Sequence, residues 1–152
     1  MKNKVFLISS IFALILIFWG YWYQQSFDNK VQRVIYVNDC QISETACQVK
    51  VGEGQFLTLS ILPKGMPQTK PLAINLTLKG FGANEALVNF EGIEINHNLL
   101  PYSLDRHDAQ HFSGKGFLSL CSLRTMNWLA HLIVVTNSET LKVSFPFVTV
   151  RD

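Results

Sequence analysis

A chain of 152 residues that is 48% hydrophobic and only 16% charged has enough apolar material for a domain with its own core. Its 13 basic and 11 acidic residues give a net charge of +2, with no run of like charge. This argues against nucleic acid as a partner, because phosphate binding needs a cationic face. No repeat or low-complexity stretch is present, nor any of the motifs G-x-S-x-G, G-x-x-x-x-G-K-[ST] or H-E-x-x-H.

The first element is an uncharged apolar run over residues 5–23, preceded by Lys2 and Lys4. Nineteen residues at about 1.5 Å rise cover roughly 28 Å of helix, close to the ~30 Å hydrocarbon core of a bilayer. The lysines hold residues 1–4 in the cytoplasm by the positive-inside bias. Trp19, Tyr21, Trp22 and Tyr23 crowd the far end, where amphipathic rings prefer the membrane–water boundary. A cleaved signal peptide is the competing reading, but the run ends in bulky rings where cleavage needs small residues. The expectation is a retained transmembrane anchor, a polar tether over 24–30, and residues 31–152 outside the cytoplasm. Without Lys2 and Lys4 the basic residues fall from 13 to 11, equal to the 11 acidic ones. The outer domain is therefore formally neutral.

Beyond the tether the pattern is β throughout. Residues 31–37 are rich in β-branched and aromatic side chains, and 46–51 follow a loop holding Cys40 and Cys47. In an oxidising compartment Cys40, Cys47 and Cys121 allow one bridge in three possible pairings; the short polar loop favours Cys40–Cys47 as a structural staple, with a metal-binding or redox thiol pair as the alternative. A bridge closing so short a loop contributes on the order of 2 kcal/mol. Gly52-Glu53-Gly54 reads as a hairpin turn into a strand over 55–62, which stops at the breakers Pro63-Lys64-Gly65-Met66-Pro67. The clearest strand is 72–79, where Leu72, Ile74, Leu76 and Leu78 alternate with smaller or polar residues. Another strand begins at 85–90. Residues 96–111 lack a clean period and contain Pro101, so they read as a long loop or a short helix. Stretches 112–121, 127–136 and 141–150 complete the set, with Pro146 marking an edge or bulge in the last. Seven or eight such strands predict an all-β fold, an immunoglobulin-like antiparallel β-sandwich, with a small closed barrel as the alternative.

Candidate chemistry lies in two places. Residues 122–125 would form a hairpin connection that sets Cys121 opposite Met126, a soft sulfur pair of the kind that selects cuprous copper. Strand parity turns His131 away from Met126, and the competing reading packs Cys121 and Met126 against Trp128 in the core. His107 and His111, four apart, would share one face of a helical turn, near His97, Asp105 and Asp108. Met66 would add a soft ligand if its loop met theirs. Glu91 and Glu94 read as surface charge, and Asn75-Leu76-Thr77 as a glycosylation acceptor with meaning only in a eukaryotic secretory route.

The stretch Cys121-Ser-Leu-Arg-Thr-Met126-Asn-Trp128-Leu-Ala-His131-Leu132, followed by a polar turn and Phe145-Pro-Phe147, is similar to the closing hairpin of the FixH-like group. These are membrane-anchored accessory proteins of cytochrome oxidase assembly in Gram-negative envelopes. The resemblance covers the architecture of the chain, and specific residues over about 30 positions. It implies a single-pass inner-membrane protein whose C-terminal domain lies in the periplasm and meets another envelope protein or a membrane complex. Related copper carriers place methionines and histidines in a mid-domain loop; residues 92–99 here hold His97 and no methionine. The leading expectation is a non-enzymatic interaction or accessory protein, docking through exposed strand edges by β-addition. The alternative is copper binding by Cys121, Met126 and His97.

Overall fold

The computed structural model describes residues 15, 18, 31–68, 70–94, 97–98, 100–119 and 122–150. The expected anchor and tether lie outside these residues apart from Ile15 and Phe18, both in helical conformation. Among the described residues no helix is long and apolar enough to cross a membrane. The chain divides into two compact units, Met1–Val31 and Gln32–Asp152. The described strands belong to the second, save for the first residue of the first strand.

Those strands are β1 (Val31–Tyr36), β2 (Cys47–Gly52), β3 (Gln55–Leu62), β4 (Leu72–Lys79), β5 (Glu85–Gly92), β6 (His97–Asn98), β7 (Tyr102–Ser103), β8 (Asp105–Arg106), β9 (His111–Gly116), β10 (Thr125–Val135) and β11 (Glu139–Val150). β4 shows why they form: its residues are alternately buried and exposed from Leu72 to Lys79, so an extended backbone puts every branched aliphatic side chain on one face. Turns follow from glycine. Gly54, at φ +66°, lies between β2 and β3, and Gly80, at φ +83°, ends β4. A Cβ on Gly80 would stand 2.2 Å from the Gly54 carbonyl oxygen, so only glycine lets the two turns meet.

One sheet has five strands in the order β2-β3-β4-β9-β8. The other has six, β1-β11-β10-β5-β6, with β7 also pairing β5. The pairings with assigned register are antiparallel. β1 runs parallel to β11: Arg33 pairs with Glu139 at 2.8 Å, and the Val37 N–H donates to the Ser144 carbonyl at 3.0 Å. The inner faces share one core that includes Leu57, Leu59, Ile61, Ile74 and Leu76 from the first sheet and Phe90, Trp128, Leu132 and Phe145 from the second. Trp128 stacks on Phe147, centroids 6.3 Å apart, and Phe90 meets Phe147 edge-on at 82°. The Trp128 indole N–H donates to Thr149 Oγ1 at 2.9 Å, so the ring is buried with its donor satisfied. The all-β expectation is met by two facing sheets.

Three local expectations differ from what the chain does. Residues 96–111 contain no helix among those described; β6, β7 and β8 are two-residue strands along the sheet margins. The strand expected over 112–121 ends at Gly116. The hairpin across 122–125 is not formed, because β9 pairs β4 and β8 in one sheet while β10 pairs β5 and β11 in the other. A short link between two strands has the same local signature whether it turns back within a sheet or crosses to the facing one, and only the pairing partners decide. Pro146 falls where expected: it lies two residues past the Ser144 carbonyl that accepts from Val37, beyond the end of β1.

Candidate functional site

Tertiary structure assembles a polar chain on the outer face of the six-stranded sheet. β10 places His131 directly opposite Ser144 of β11 and Asn89 of β5. The His131 ring is 4% exposed and bonds at both nitrogens, Nδ1 to Ser144 Oγ at 2.8 Å and Nε2 to Glu91 Oε2 at 2.8 Å. In the neutral imidazole, Nε2–H donates to the carboxylate and Nδ1 accepts the Ser144 hydroxyl. Acid, imidazole and hydroxyl stand in series, as in a nucleophile relay, with Ser144 0% exposed. The arrangement satisfies buried polar groups across three strands. Its parts were visible as polar residues between apolar neighbours, Leu129-Ala130-His131-Leu132 and Val143-Ser144-Phe145, but their meeting depends on register.

The predicted metal residues are not brought together among the described positions. Cys121 lies outside the described residues, and His97 is placed only as part of β6, paired with Gly92. Met126 is fully buried on the inward face with Trp128, as the core reading expected. Met66 is also fully buried. His107 and His111 flank the turn between β8 and β9 rather than a helical face. His107 Nε2 bonds Ser113 Oγ at 2.6 Å, and His111 Nδ1 bonds Asp108 Oδ2 at 2.8 Å. The Asp108 carboxylate also accepts the backbone N–H groups of Gln110 and His111. The Gln110 N–H, then the His111 ring, hold its pKa below the ordinary carboxylate value. Asp108 is thereby committed to closing the turn. No group of three or more His, Cys, Asp or Glu able to hold a metal occurs among the described residues.

Cys40 and Cys47 form a disulfide, as the spacing suggested, with Cα atoms 5.8 Å apart. It closes the link from β1 to β2, and Gly65 of the β3–β4 loop donates its N–H to Ser43 inside it at 2.8 Å. The Glu94 carboxylate accepts the Asn127 side-chain amide, which holds its pKa below the ordinary carboxylate value, and the Asn127 backbone N–H at 3.0 Å.

Exposed apolar side chains are unevenly placed. Leu62 ends β3, Ile93 follows β5, Phe117 follows β9, Leu123 precedes β10, and Val148 and Val150 close β11. The registers Leu62↔Ala73, Leu72↔Gly116, Trp128↔Gly92 and Thr125↔Val150 put all six at one end of the two sheets. Gln68 bonding Thr149 and the Tyr102 hydroxyl donating to the Phe117 carbonyl tie the sheets together there. Ile93, Pro146 and Val148 line a shallow depression of about 260 Å³ with Gln41, Asn127, Trp128 and Phe147. At the opposite end, the β2–β3, β4–β5 and β10–β11 turns are built of Glu53-Gly54, Gly80-Phe81-Gly82-Ala83-Asn84 and Thr136-Asn137-Ser138. Phe81 is partly buried there and Ala83 fully. No protein-family model matches the chain, and no curated protein matches it.

Proposed function

We propose that this chain is a single-pass inner-membrane protein whose periplasmic, immunoglobulin-like domain binds another envelope protein or a membrane complex as an accessory subunit. Cytochrome oxidase assembly is the setting that the similarity to the FixH-like group brings with it. The membrane assignment rests on the uncharged run over 5–23 behind Lys2 and Lys4. The immunoglobulin-like reading is supported by strand order: β3-β4-β9-β8 faces β11-β10-β5, the four-plus-three connectivity of a constant-type domain. Trp128 stands on the sixth strand of that scheme rather than the third, and the disulfide lies outside both sheets.

The observation that carries the binding role is the gathering of Leu62, Ile93, Phe117, Leu123, Val148 and Val150 at one end of a domain whose polar chain is sealed. Strand edges offer less for β-addition than expected, because β6, β7 and β8 are two residues long and β1 and β2 six. Fractionation of cells making the full chain tests the assignment. The protein should sediment with membranes, resist alkaline extraction, and lose its domain to protease only once the outer envelope is opened. Recovery in the soluble fraction would reject the anchor.

A further inference from the structure

We infer that the end of the domain carrying Leu62, Phe117 and Leu123 docks a protein segment that combines apolar side chains with carboxylates. This rests on the anchored reading above. Each of the three apolar residues has a cation within two positions: Lys64 beyond Leu62, Lys115 before Phe117 and Arg124 beside Leu123. Lys70 adds a fourth in the β3–β4 loop. None of the four takes part in an ion pair among the described residues, where the pairs are Arg33–Glu139, His111–Asp108 and His131–Glu91. Of the carboxylates at that end, Glu94 is held by Asn127, while Asp39 and Glu44, between β1 and β2, are exposed, leaving the four cations in excess of two. Free cations interleaved with exposed apolar groups complement an apolar, acidic surface.

A second copy presenting the same end would set cations against cations, a repulsive contact.

Site-specific photo-crosslinking of the full chain in the cells that make it tests the surface. A benzophenone side chain is placed at Phe117 or Leu123, and at Glu53 or Lys79 of the opposite end as controls. The expected result is one discrete protein adduct from Phe117 and Leu123, absent from the controls, whose added mass is not that of the 17.2 kDa chain. Its yield should fall at least tenfold in a K64E/K70E/K115E/R124E variant that still reaches the membrane. An adduct of twice the chain mass, a lipid-sized adduct, labelling from the controls alone, a yield indifferent to charge reversal, or no adduct overturns the inference. Fractionation of the same cells separates the two readings: a soluble chain that still gives the charge-dependent adduct rejects the anchor and keeps the docking surface.

Discussion

Replacing Ser144 by alanine removes the hydroxyl that fills the Nδ1 side of His131, 2.8 Å away at a fully buried position. Water cannot take its place, so the ring nitrogen is left unsatisfied, at a cost of about 1–3 kcal/mol. His131→Leu makes the reciprocal defect. It strands the Ser144 hydroxyl at a similar cost, while Glu91, with its side chain 34% exposed, recovers hydrogen bonds from solvent and adds little. The double variant S144A/H131L removes both partners together and leaves apolar surface against apolar surface. It should therefore be less destabilised than the sum of the single variants, with a coupling energy of about 1–3 kcal/mol. Urea unfolding of the detergent-solubilised full chain, followed by near-ultraviolet circular dichroism, measures this. A loss of about 2 kcal/mol moves the midpoint by roughly 1 M for a domain of this size. Additivity to within about 0.5 kcal/mol would refute the paired, sealed arrangement and reopen the hydroxyl to solvent chemistry.

Thiol labelling of the unfolded chain without reductant should modify one cysteine, Cys121, and with reductant all three; C40S/C47S should lower stability by about 2 kcal/mol in the same urea assay. Gly80→Ala must push a Cβ against the Gly54 carbonyl at 2.2 Å, whereas Gly54→Ala meets nothing within 4 Å and carries only the left-handed backbone penalty, about 1 kcal/mol. G80A should therefore unfold at clearly lower urea than G54A, and equal midpoints would contradict the contact between the two turns. Asp108 has a lowered carboxyl pKa, so its charged form contributes stability that is present above the ordinary value of 3.8 and disappears as pH falls through the lower folded value. D108N should unfold at lower urea than the parent at pH 7, with the gap closing as the pH is taken below that range; a gap independent of pH would show that charge plays no part in the turn.

How legible the molecule was in its sequence depends on the range over which each feature is decided. β3 and β4 were readable to the residue, at 55–62 and 72–79, because alternation of apolar and polar side chains is a property of the strand itself. The hairpin turn at Glu53-Gly54 and the bridge from Cys40 to Cys47 were equally local. Parity alone turned His131 away from Met126. Pro146 marked the stretch of β11 that runs past β1, since a residue without an N–H belongs where no ladder bond is needed.

What lay beyond that range was decided by pairing. Residues 122–125 read as a hairpin link, yet between β9 and β10 the chain passes from one sheet to the other, a choice made by β4 and β8 on one side and β5 and β11 on the other. Glu91, His131 and Ser144 are 40 and 13 positions apart, and no spacing rule joins them; three strands in one register do. Leu62, Ile93, Phe117, Leu123, Val148 and Val150 are unremarkable one by one in the chain, and become a surface only when strand ends coincide. Local backbone preference and side-chain alternation thus determined which segments extend and which face they bury. Which strands lie side by side was left to the free energy of closing the core, and that tertiary choice built both the sealed polar chain and the apolar end.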